Sequence, residues 1–345
     1  MIPIQNIYYM LSYAFQVLNE QGYKNIATEQ FNNTGELMAA ILEKGIAIQL
    51  KRGLGKEYIL QTEALSSLRG KIDIAESIKT QSMLRKQLIC TYDEFSVNSI
   101  MNQIIKSTVE LLLRSNISKQ RKKNLRKLMV YFSEVDFIDL YTVNWNVQYN
   151  RNNQTYRMLI SICYLVVKSL LQTQSNGHTE LMDFLDEQRM CRLYEKFILE
   201  YYRKEFKNQI TANASQIPWQ LDNEENSMLP VMQSDIMLQS GEKVLIIDAK
   251  YYEHSTQVQF DKHTLHSGNL YQIFTYVKNK EYELREKNHT VSGMLLYAKT
   301  DEEIYPNNVY QMSGNQITVR TLDLNLPFDE IAGQLNTIAK THFDL

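Results

Sequence analysis

A short apolar run, Val244-Leu-Ile-Ile247, leads directly into Asp248-Ala249-Lys250, and this junction constrains the fold more than any other stretch of the chain. Lys243–Tyr252 reads as a strand that follows a second strand candidate, Val231–Leu238, through the turn-forming Gln239-Ser-Gly-Glu242. Side chains two apart on a strand share a face, so Asp248 and Lys250 point the same way, and a hairpin brings Asp235 beside them. Around this pair the periodicity predicts helices over 188–206 and 269–279, strands over 291–298, 309–312 and 316–322, and a closing helix over 328–340. The order helix, strand, strand, helix, strand describes a compact mixed α/β unit that begins near Glu187.

The amino-terminal half has a different rhythm. Helices are expected over 3–18, with Pro3 in the first turn, and over 34–44, with Thr34 as the cap. Strands over 46–50 and 58–61 flank a hairpin-like turn at Lys51–Lys56, and 68–74 and 88–92 read as further strands. Helical spacing takes over at 98–113, 119–132 and 154–171. The expected organisation is an α+β region over 1–150, a helical bridge over 151–186 and the α/β unit over 187–345, two domains being what 345 residues suggest.

The formal net charge is only −2, which argues against a chain held to DNA by bulk positive charge. The average hides a gradient. Residues 1–150 carry 18 Lys/Arg against 14 Asp/Glu, and residues 151–345 carry 19 against 25. The densest basic cluster is Lys119, Arg121, Lys122, Lys123, Arg126 and Lys127, on an expected helix that also carries Leu125 and Leu128. It reads either as a solvated face or as a surface for a polyanion or an acidic partner. Cys90, Cys163 and Cys191 are far apart and form no CxxC or zinc spacing, which suits reduced thiols in the cytoplasm. No secretory leader and no long apolar span is expected to place the chain at a membrane.

The chemistry is carried by Asp235, twelve intervening residues, then Asp248 and Lys250. Two hard carboxylates suit an oxygen-loving, six-coordinate cation such as Mg²⁺, with Asp235 and Asp248 as its ligands. A neighbouring lysine would orient the attacking water and stabilise charge developing on a phosphate. Glu195, on the preceding helix, is a further carboxylate candidate, and Gln272 and Tyr276, four apart on the following helix, share a face toward the site. Ordinary surface and packing roles are the alternatives for these three. The constellation resembles that of the PD-(D/E)xK nuclease fold, with Ser234 where the motif's name has proline.

Pieces spread along the whole chain resemble the McrC subunits of McrBC modification-dependent restriction systems. They are Ile4–Leu11, Leu68-Arg-Gly-Lys71, Tyr92–Asn98 with Asn102 and Lys106, Leu193–Phe197, Met232–Ile236, Ile246–Tyr252 and Ser267–Gln272. The resemblance implies a carboxy-terminal Mg²⁺-dependent endonuclease and an amino-terminal half that docks on a McrB-like AAA+ GTPase ring and stimulates it. That ring would recognise double-stranded DNA carrying modified cytosine. GTP would be bound by the partner, since Gly53-Leu-Gly55-Lys56 has the wrong spacing for a phosphate loop. Arg69, Asn98 and Asn102 match family positions and are candidates for partner or nucleic-acid contact, although the Asn98, Asn102 and Lys106 ladder could equally be a local hydrogen-bond network. A non-catalytic adaptor of the ring and a stand-alone nuclease of the same fold are the competing readings.

Overall fold

The computed structural model describes residues 2–15, 33–151, 153–175, 187–222, 228–252, 257–259, 262–299 and 305–345, with single positions at 18, 23, 26, 29 and 31. The chain divides into two compact units. One is Asn32–Met182; the other is discontinuous, made of Met1–Phe31 and Asp183–Leu345. This differs from the expected boundaries at both ends. The first helix, α1 (Ile4–Ala14), belongs with the carboxy-terminal part, and most of the supposed bridge belongs with the middle of the chain. Residues 176–186 of that bridge lie outside the described residues.

The middle unit comprises α2 (Thr34–Arg52), β1 (Glu57–Leu65), β2 (Lys71–Asp73), α3 (Ile74–Lys79), β3 (Leu88–Ser96), α4 (Ile100–Arg114), α5 (Lys119–Met129) and α6 (Tyr156–Ser175). The expected strand over 46–50 is instead the last turns of α2. Leu37, Ile41, Leu42, Ile46 and Gln49 recur at helical spacing and are all buried, so the helical period continues through the apolar run until Gly53 ends it at φ +91°. Its cap is Asn33 rather than Thr34: the Asn33 side chain accepts the Glu36 N–H at 2.8 Å. The strands form an antiparallel sheet in the order β1-β3-β2. The expected strand over 68–74 is confined to β2, because Asp73 caps α3 through the Glu76 N–H.

The discontinuous unit continues with α7 (Glu187–Glu205), β4 (Thr211–Asn213), β5 (Gln216–Ile217), β6 (Met232–Gln233), β7 (Ile236–Ser240), β8 (Lys243–Lys250), β9 (Gln257–Gln259), β10 (Lys262–Thr264), α8 (Ser267–Glu283), β11 (Thr290–Ala298), β12 (Asn308–Met312), β13 (Asn315–Leu322) and α9 (Phe328–Phe343). Its main sheet has six strands, ordered β12-β13-β11-β8-β7-β4. β7 and β8 form the expected antiparallel hairpin, with Gly241 at φ +57° in the turn. β8, β11 and β13 run parallel to one another, β12 is antiparallel to β13, and α8 makes the crossover from β8 to β11. Val244, Ile246, Leu295, Ile317 and Val319 pack with Ile273, Tyr276 and Val277 of α8 in one buried cluster. Gly293 permits this close packing: a Cβ there would lie 2.8–2.9 Å from Ile273, Val277 and Ile317.

α1 is tied into the same unit. The Asn6 side-chain amide donates to the Leu324 and Leu326 carbonyls, each at 2.8 Å. Tyr9 stacks on Phe328 at 4.4 Å between ring centroids, and the Tyr13 hydroxyl donates to Glu205 at 2.9 Å.

Candidate active site

The strand expected over Val231–Leu238 is interrupted, and the interruption builds the site. β6 pairs with β5, β7 pairs with β8, and Ser234-Asp235 falls between them. Ser234 is buried and its N–H donates to the Ser215 carbonyl at 3.0 Å, a bond that proline could not make. Its hydroxyl lies 3.2 Å from the same carbonyl. The departure from the motif's proline is therefore occupied by a backbone pairing of this chain's own.

Asp235, released from the ladder, accepts the Ala249 N–H at 2.9 Å. That places it across from the residue lying between Asp248 and Lys250. Asp248 is 1% exposed, and its Oδ2 lies 2.8 Å from the Lys250 ammonium. The alignment there is not that of a hydrogen bond, and neither Asp248 oxygen has a hydrogen-bond partner. Lys250 Nζ instead donates to Gln272 Oε1 at 3.3 Å, and the Gln272 amide donates to the Tyr276 hydroxyl at 2.9 Å. The expected face of α8 does turn toward the lysine.

Burial pushes the Asp235 carboxyl up to about 8, with Asp248 and Glu195 adding like-charge repulsion. Burial would lower the Lys250 ammonium, but Asp248 and Asp235 outweigh it and the net direction is upward. Glu195 on α7 is also raised, first by burial, while Cys191 and Lys250 oppose the shift and Asp248 adds to it. The Cys191 thiol donates to Glu195 at 3.1 Å and is itself pushed up to about 12 by burial and by that carboxylate, so it is no nucleophile. Glu195 thus feels the charges of the other three residues. Among the described residues, however, no three His, Cys, Asp or Glu side chains converge on a single metal position.

One part of the site was not expected. The Asn269 amide donates to the Tyr297 hydroxyl at 2.9 Å, and the Tyr252 hydroxyl donates to Asn269 at 3.3 Å. Tyr297 is the register partner of Lys250 on β11. Only the strand pairing reveals this network, because its members come from three elements.

Asn98, Asn102, Arg121 and Arg69 make contacts within the fold. Asn102 is fully buried; its amide donates to the Gly55 and Val97 carbonyls at 2.9 and 2.8 Å, and its carbonyl accepts the Tyr156 hydroxyl at 2.8 Å. Asn98 pairs with Asp136 through both side-chain ends, and Lys106 donates to the Phe132 and Val135 carbonyls. The local-network alternative therefore describes this ladder, whose polar groups are already satisfied. Arg121 turns inward to Glu43 at 2.8 Å and Glu36 at 3.6 Å, unlike its basic neighbours. Arg69 lies over the Tyr92 ring at 4.1 Å, and Gly70, at φ +68°, has no room for a Cβ against Thr91 and Tyr92.

Residues 5–298 match the family model described as the McrBC 5-methylcytosine restriction system component. The chain belongs to this McrBC family. The matched span includes Glu195, Asp235, Asp248, Lys250 and Gln272. The chain is 29% identical over 330 residues, covering 94% of this chain and 93% of the relative, to the type IV methyl-directed restriction enzyme EcoKMcrBC of Escherichia coli K12. It is also similar to a chain in a half-complex of McrB AAA+ hexamers with bound McrC from Thermococcus gammatolerans, at 18% identity and a TM-score of 0.48, covering 97% of this chain and 76% of the other. A second McrBC complex from that organism matches at 21% identity and a TM-score of 0.42, over 59% of each chain.

Proposed function

We propose that this McrBC family member is the endonuclease subunit of a GTP-dependent, modification-dependent restriction complex, with a PD-(D/E)xK site in its discontinuous unit. The observation that carries the reading is Asp248. A carboxylate with both oxygens buried and without hydrogen bonds is rare in a merely structural role. Here it stands beside a lysine and near a second carboxyl that burial and like charge have raised.

That donor set fits a hard divalent cation, Mg²⁺, with Asp235 and Asp248 as its protein ligands. Bound there, the cation would polarise the phosphodiester and make a water more acidic. Lys250 would orient the attacking water and offset charge developing on the phosphate. Gln272 holds the Lys250 head in place and is held in turn by Tyr276. Glu195, half-buried and raised, keeps a proton more readily than a surface carboxylate, which suits a proton-holding role beside the cation.

For partners we infer a McrB-like AAA+ GTPase ring and, through it, double-stranded DNA carrying modified cytosine. Family membership supports this, as does the exposed apolar surface of the middle unit, where Tyr58, Leu60, Leu68, Ile74, Ile78, Leu84 and Phe95 are all exposed between β1 and β3. GTP would belong to the ring, and the free Cys90, Cys163 and Cys191 suit a reducing cytoplasm. Among the described residues no helix is long and apolar enough to cross a membrane.

The test is cleavage of modified DNA by the chain reconstituted with its ring, GTP and Mg²⁺. Asp248→Ala and Lys250→Ala should each abolish cutting while complex formation and GTPase stimulation persist. Cutting at the wild-type rate by either variant would overturn the site. No metal-dependent cutting by the wild-type complex would favour the adaptor reading.

A further inference from the structure

We propose that the outer face of α5 is a sequence-independent binding surface for the phosphate backbone of duplex DNA. The proposal rests on the nuclease reading for its ligand and on α5 alone for its geometry. Leu125 is buried on the inner face, where Arg121 and Asn124 both bond to Glu43, at 2.8 and 3.0 Å. Glu36 accepts the Ser118 N–H and hydroxyl at the helix start, at 2.9 and 2.7 Å. Glu36 and Glu43, the acidic residues bonded to α5, are therefore committed inward, by one cation and by uncharged groups.

At 100° per residue, Lys119, Lys123, Arg126 and Lys127 fall on the side opposite Arg121, Asn124 and Leu125. All four are exposed, and among the described residues none has an ion-pair partner. α5 itself has no acidic residue. Lys119 with Lys123, and Lys123 with Lys127, are like charges at i, i+4, which disfavours the helix. Four exposed cations on one face, with no acid on the helix to offset them, suit an anionic ligand.

The stripe spans about 12 Å at the helical rise of ~1.5 Å per residue. A duplex presents one negative charge per ~1.7 Å of axis, so the four cations meet a continuous line of phosphates. A protein partner fits less well. Lysine is depleted in protein interfaces, and the stripe has no apolar centre. Most exposed apolar residues of the same unit lie between β1 and β3; Val130 and Tyr131, just past the end of α5, flank the stripe without interrupting it.

The experiment measures binding of the full chain to a fluorescent duplex in EDTA, where cleavage is absent, between about 50 and 200 mM salt. The variant is K119A/K123A/R126A/K127A, with its helix content checked by circular dichroism. It should bind much more weakly, and the slope of log K against log salt should flatten by about 3–4, from ~0.9 per phosphate contact. A folded variant with the wild-type affinity and slope overturns the proposal. So does a variant that loses the AAA+ ring but keeps DNA, or a wild-type chain that fails to bind duplex at the lowest salt. Asp248→Ala separates the two readings: if it still cuts while binding remains dependent on the stripe, the site at Asp248 is wrong and the stripe stands.

Discussion

Asp235 is fastened to Ala249, the one residue between Asp248 and Lys250, by a 2.9 Å bond from the backbone N–H to its carboxylate. The pairing fixes a carboxylate where burial and two like charges oppose its ionisation, and the group titrates near 8 in the fold. An unfolded aspartate titrates near ~4. Between those values the folded chain holds the extra proton, so this site makes stability fall as pH rises through the window. In EDTA, the wild-type melting temperature should drop between about pH 5 and 8 by more than that of Asp235→Asn. Added Mg²⁺ should shrink the difference. Parallel curves for the two proteins in scanning calorimetry would refute the assignment.

Lys250 is the counter-charge nearest to Asp248. Removing it leaves a buried carboxylate uncompensated, which costs about 3–5 kcal/mol. Lys250→Met should show that loss in urea unfolding without metal, and Asp248→Asn added to it should restore most of the stability. A double variant as unstable as the single one would mean that the pair is not coupled.

Asn102 bridges two carbonyls and a tyrosine hydroxyl in the interior of the middle unit. Asn102→Ala strands all three, and each unsatisfied buried group is worth about 1–3 kcal/mol. Tyr156→Phe should cost less, because Gly55 N–H and Asn102 each lose a single partner. Chemical denaturation reads both; equal stability for all three proteins contradicts the network.

Ser234→Pro restores the motif's usual residue, yet it should destabilise this protein by about 1–3 kcal/mol, because the Ser215 carbonyl loses its donor. A more stable proline variant would show that the Ser215 contact is dispensable.

Gly293→Ala would force a Cβ against Ile273, Val277 and Ile317. Overpacking of this kind costs about 1–3 kcal/mol. Because α8 carries Gln272, cleavage should fall alongside stability, and an alanine variant with both intact would show that the helix yields freely.

The β7–β8 hairpin and the shared face of Asp248 and Lys250 were legible because a two-residue period and a glycine turn are local signals. The end of α2 was not: four apolar residues in five fit a strand as well as a helix, and burial of Leu37, Ile41 and Ile46 decides it. The break at Ser234 was hidden for a different reason, since its partner Ser215 lies nineteen residues upstream. The inward turn of Arg121 depends on Glu43, far away on α2, so composition alone grouped it with its neighbours. Tyr297 meets the site only through the parallel pairing of β11 with β8.

The anchoring of α1 has a practical reading for anyone wishing to isolate the unit that carries Asp235, Asp248 and Lys250. A fragment starting at Glu187 would lack Asn6, Tyr9 and Tyr13, leaving the Leu324 and Leu326 carbonyls without their donor and the Phe328 ring without its stacking partner. Such a tail fragment should misbehave for want of its first dozen residues. The stretch that is continuous in sequence is the interior, Asn32–Met182, so the unit carrying Asp235, Asp248 and Lys250 is assembled from both ends of the chain.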